Sequence, residues 1–118
     1  MTVDEVLAVL QATSIPSRDI DASIAEIVAA SGWQGQSHWR PETDLPARAR
    51  HADSYTASLD AAFSLVEHVL PGRSVHLDWH PDQGRAEASI GDADAADGAT
   101  PALAVVTALF RVLRQREA

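Results

Sequence analysis

The chain has 118 residues, 46% of them hydrophobic and 22% charged, with no cysteine and a formal net charge of -8. Those values suit one globular domain over 1–118, exclude disulfides and thiolate metal sites, and oppose sequence-independent binding to nucleic acid, which depends on basic side chains displacing counterions. No apolar run reaches the roughly 18 to 20 residues of a bilayer span, and Asp4 and Glu5 stand where an export signal carries basic residues, so a cytoplasmic, membrane-free protein is expected.

Residues 1–32 read as a helical hairpin. Thr2 and Glu5 have the spacing of a capping box, and Val3, Val6, Leu7 and Leu10 follow on one helical face. Ile15-Pro16 biases the chain out of helical geometry, so the first helix is expected to end near Thr13. Ile20, Ile24, Ile27 and Val28 form a second stripe that runs to Ser31-Gly32. From 33 to 57 the periodicity is lost among Gly, Pro, Arg and small polar residues, with Trp33, Trp39 and Tyr55 in the segment and a short edge strand expected near Ser54 to Thr56. Such aromatics pin a loop by packing or, when exposed, anchor a ligand or partner.

Residues 58–118 read as a helix–hairpin–helix core. Ser58 caps a helix whose stripe is Leu59, Phe63, Val66 and Leu70 with Ala62 and Val69, and Pro71-Gly72 ends it. Val75, Leu77 and Trp79 then alternate with His76, Asp78 and His80; after Pro81-Asp82-Gln83-Gly84, Ala86, Ala88 and Ile90 line one face of a second run. A lone hairpin is marginal in water, so the helices on either side of it in sequence are expected to cover its apolar face, with Ala86 and Ala88 admitting close approach. Gly91 to Gly98 reads as an acidic surface turn, and Thr100-Pro101 opens a last helix with core positions Leu103, Val106, Leu109, Phe110 and Leu113. The fold class is α/β: a small α/β/α layered domain with an antiparallel hairpin or small sheet and about four helices.

The segments Tyr55-Thr56-Ala57-Ser58-Leu59-Asp60-Ala61-Ala62, Leu70-Pro71-Gly72 and Gly98-Ala99-Thr100-Pro101-Ala102-Leu103-Ala104, in that order, resemble the phage ABA sandwich domain family. Arg18-Asp19-Ile20-Asp21-Ala22-Ser23-Ile24-Ala25 resembles the helix start that precedes them. The resemblance covers most of the chain outside the loop around Trp39. It implies a small phage or prophage protein in a bacterial host, with an α/β/α fold and no catalytic motif to carry over. The strand face bearing His76, Asp78, His80, Arg85 and Glu87 nevertheless reads as solvated.

His76, Asp78 and His80 are weak metal candidates: their types suit zinc or iron, but steps of roughly 7 Å along a strand spread them too far for one ion. A hydrolase built on His51 or His68 with Asp53, Ser54 or Glu67 lacks a nucleophile elbow, and no glycine-rich loop cradles phosphate. No cofactor is expected. The acidic groups are the remaining feature: Asp19, Asp21 and Glu26 on the second helix, and Asp92, Asp94 and Asp97 in the turn, suit a protein with a basic surface. The resulting expectation is a non-catalytic phage accessory protein that binds a host or phage macromolecule, with antagonism of a host defence as one form. A small metal-dependent enzyme using His76, Asp78 and His80, or a small-ligand sequestering protein using the Trp33 to Tyr55 loop, stands as the alternative. Oligomeric state is not specified by any motif.

Overall fold

The computed structural model describes residues 2–30 and 54–117. Helix α1 spans Val3–Ala12 and opens on the expected capping box: the Thr2 hydroxyl accepts from the Glu5 amide at 3.2 Å, while the Glu5 carboxylate accepts from the Thr2 amide at 3.4 Å. Helix α2 spans Arg18–Ala30, and the Ser17 hydroxyl accepts from the Ile20 amide. Helix α3 spans Leu59–Val69 behind the Ser58 cap. Strands β1, Val75–His80, and β2, Arg85–Ile90, pair antiparallel from Val75 opposite Ile90 to His80 opposite Arg85, joined by a short turn in which Gly84 takes the left-handed conformation. Strand β3, Ala96–Gly98, pairs antiparallel with β2, and helix α4 spans Pro101–Glu117 with the Thr100 hydroxyl capping the Leu103 amide.

Helix α4 is the centre of the molecule. Every residue from Ala102 to Phe110 is buried, because Ala102, Ala104, Val105 and Ala108 add apolar surface on the flanks of the predicted stripe. A helix that is apolar all round belongs inside. Its neighbours are all three strands, α1 and α3. The single polar side chain in that stretch, Thr107, donates its hydroxyl proton to the Leu103 carbonyl at 2.6 Å. The sheet lies on one side of α4 and the helices on the other, and their side chains merge into one core.

Four expectations are corrected. The acidic run contains β3: Ala96 is buried against the core and Asp97 points outward, so the turn is shorter than its composition implies. Ser54 to Thr56 forms part of a turn, not a strand. Helix α3 packs on α4 rather than over the hairpin; Ala62, Val66 and Leu70 of its expected stripe are buried, but Leu65 takes the core position expected of Phe63, which is 37% exposed. The apolar face of β1 is only partly covered, with Val75 and Leu77 half-buried and Trp79 45% exposed, because β1 is an edge strand and α4 lies mainly over β2 and β3.

Candidate functional site

The alternation of β1 and β2 sends Ala86, Ala88 and Ile90 into the core and His76, Asp78, Arg85 and Glu87 to the opposite face, where no helix covers them among the described residues. The register of the three strands then fixes a row. Asp78 is opposite Glu87, and Glu87 is opposite Asp97, so three carboxylates cross the sheet side by side. Residues directly opposed on antiparallel strands stand about 4.5 to 5.5 Å apart, close enough for like charges to repel.

Arg85 partly relieves that repulsion. Its guanidinium lies 2.9 Å from Glu87 and 3.7 Å from Asp97, and its Nε donates to the Gln83 side chain at 2.9 Å. Asp78 makes no ion pair among the described residues. Among the described residues, one arginine against three carboxylates leaves the row anionic. Asp92 and Asp94, exposed in the turn between β2 and β3, extend the acidity of this end of the sheet.

The other candidate residues divide cleanly. Asp19 is exposed, but Asp21 is fully buried and belongs to the fold: its Oδ1 accepts from the Thr56 amide and hydroxyl, each at 2.8 Å, and its Oδ2 from Arg18 at 2.9 Å. The Asp21 carboxylate is therefore unavailable to a partner. Glu26 is half-buried with an internal contact, so the acidic group expected on α2 reduces to Asp19. Trp33 and Trp39, with His51 and Asp53, lie outside the described residues; Tyr55 is buried and serves packing. His68 is committed through Nδ1 to the Ser64 carbonyl, and the Ser54 hydroxyl accepts from Arg18. His76, Asp78 and His80 share a face but bring no metal-binding cluster together among the described residues.

By residue type and spacing alone, Asp78 reads as a metal candidate and Glu87 as ordinary strand polarity. The hairpin turn already sets Asp78 opposite Glu87, so half of the row was readable; Asp97 joins it only once β3 is seen to pair with β2. No family model, curated protein or solved structure matches the chain.

Proposed function

We propose that this is a non-catalytic binding protein whose open sheet face docks a protein with a basic surface. The observation that carries the reading is the carboxylate row Asp78, Glu87 and Asp97, held at one register on the three-stranded sheet with, among the described residues, a single arginine beside it. A fixed row of anions concentrates potential, speeds encounter with cations and repels phosphate backbones. The resemblance of its motif order to that of phage ABA sandwich domains supports reading it as a phage-encoded accessory protein acting in the bacterial cytoplasm, with antagonism of a host defence as one form.

The test begins with affinity capture from bacterial lysate, followed by association kinetics with the captured protein. Replacing Asp78 and Asp97 by Asn and Glu87 by Gln should slow association about tenfold or more and flatten its salt dependence, with unchanged far-ultraviolet circular dichroism. An unchanged association rate, or a captured partner that is acidic, would overturn the proposal.

A further inference from the structure

Among the described residues, strand β1 is paired on one side only. The Gly91 amide donates to the Ser74 carbonyl at 2.8 Å, which makes that pair a hydrogen-bonded one and sets the alternation along the hairpin. His76, Asp78 and His80 therefore turn their main-chain groups toward β2, whereas Val75, Leu77 and Trp79 turn theirs outward. These three outward residues have no hydrogen-bond partner among the described residues. The edge is six residues long, with neither proline nor bulge inside it, and among the described residues the charge of Asp78 is the one device that blunts it. The opposite edge, β3, is three residues long.

We infer that this edge pairs with β1 of a second copy, antiparallel and about a two-fold axis at Leu77, joining two three-stranded sheets into one of six. The pairing does not require the basic-partner reading, although Asp78 belongs to both; Glu87 and Asp97 lie outside the seam and His76 outside the row, so variants there separate the two. Its warrant is register. With Leu77 opposite its own counterpart, Val75 falls opposite Trp79 of the second copy and the reverse, so all the outward amides and carbonyls of both edges are satisfied in hydrogen-bonded pairs. The intervening pairs put each His76 opposite Asp78 of the second copy, where side chains approach most closely, and an imidazole N–H can donate to the carboxylate that finds no cation among the described residues. A shift of the axis to residue 78 would set Asp78 against Asp78, and a shift to residue 76 would set His76 against His76. Of these three registers only the central one pairs acid with base; an axis at Trp79 would set Asp78 opposite His80 but Leu77 opposite Pro81, which has no amide to donate.

The apolar side agrees. Paired residues project from the same face, so the exposed Trp79 indole of the second copy lands beside Val75, at a groove of about 440 Å³ that Val75 lines together with Phe63, Val66, Glu67 and Arg73. The two largest exposed aromatic surfaces of the described residues, Trp79 and Phe63, are brought to one seam.

Sedimentation velocity from micromolar to millimolar protein tests the pairing at near-physiological salt, where repulsion between acidic copies is screened. A concentration-dependent dimer is expected. His76→Asp sets two carboxylates against each other at both symmetric contacts and should weaken the dimer roughly tenfold. The double variant His76→Asp, Asp78→His exchanges the partners and should restore it. Trp79→Ala should weaken it as well, and all these side chains are exposed, so circular dichroism should be unchanged. A wild-type monomer throughout the range would overturn the inference. So would a dimer indifferent to His76→Asp, or one the double variant fails to rescue.

Discussion

Asp21 is the residue on which local chemistry and long-range structure meet. Its carboxyl fastens the first turn of α2 to Thr56, thirty-five positions later in the chain, and Thr56 returns the contact by accepting from the Ser17 amide at 2.9 Å. Burial pushes the Asp21 carboxyl above its ordinary range; the Thr56 amide and hydroxyl and the Arg18 guanidinium pull against that, and burial wins. The network accepts either protonation state. When Asp21 is ionised the Thr56 hydroxyl donates to it, and when Asp21 is protonated that hydroxyl can turn to the Ser17 carbonyl, 3.2 Å away. A carboxyl with a raised folded pKa leaves the native state holding more protons than the unfolded chain, so its stabilising contribution is complete below the unfolded value near 3.9 and is lost as pH rises through the folded one. Urea unfolding of wild type and Asp21→Asn across that window should show wild type losing ground to the variant as pH increases, then a constant difference. Gaining ground would reverse the sign of the burial argument. Asp21→Ala should be worse than Asp21→Asn by about 1 to 3 kcal/mol, because it leaves the buried Thr56 amide without an acceptor.

At the scale of elements, the joint between β3 and α4 decides the geometry of the acidic face. A Cβ added to Gly98 would collide with the backbone of Ala104 and, at 2.9 Å, with the Leu103 carbonyl carbon, so the strand and helix approach as closely as they do only because Gly98 has no side chain. Arg111 ties the same region from outside by donating to the Ala95 carbonyl at 2.8 Å. Gly98→Ala should therefore destabilise the fold by about 1 to 3 kcal/mol or more, since backbone rather than a flexible side chain must move. Chemical denaturation measures this, and a loss below about 0.5 kcal/mol, typical of a neutral surface change, would contradict the close approach. The contrast with Thr2, Ser58 and Thr100 explains what sequence reading can reach. Those caps satisfy donors three residues away, and the stripe of α1 and the alternation of β1 and β2 are likewise local patterns, so each was legible. Gly98, Asp97 and Asp21 owe their roles to β2, α4 and Thr56, which are distant in sequence, and nothing in the run Gly91 to Gly98 distinguishes a three-residue strand from a turn until that pairing is known. The half-exposure of Trp79 was illegible for the same reason: alternation assigns a face, but only topology says which strand is at the edge.

For the whole molecule, eight excess negative charges act on a body whose principal extents are 41 × 28 × 23 Å. The Debye length is about 30 Å at 0.01 M salt, comparable with that width, and about 10 Å at 0.1 M, so raising salt across this interval removes most repulsion beyond nearest neighbours. A uniformly charged sphere of this charge and size in water sheds about 2 kcal/mol of self-repulsion over the interval, and an expanded chain about half as much, which leaves the fold stabilised by about 1 kcal/mol. Screening also weakens the exposed ion pairs Arg85–Glu87, Arg85–Asp97 and Arg114–Asp4, but such pairs contribute about 0 to 1 kcal/mol each before screening and lose only part of it. Net repulsion therefore outweighs local attraction. The urea midpoint at neutral pH should rise as sodium chloride goes from about 0.01 to 0.1 M, measured at submicromolar protein so that association between copies does not contribute. A midpoint that falls would mean the ion pairs outweigh the repulsion. The expected sign also separates two effects in the binding experiment: the same salt that slows association with a basic partner strengthens the fold, so weakened binding at higher salt reflects screening of Asp78, Glu87 and Asp97 and not loss of the sheet that aligns them.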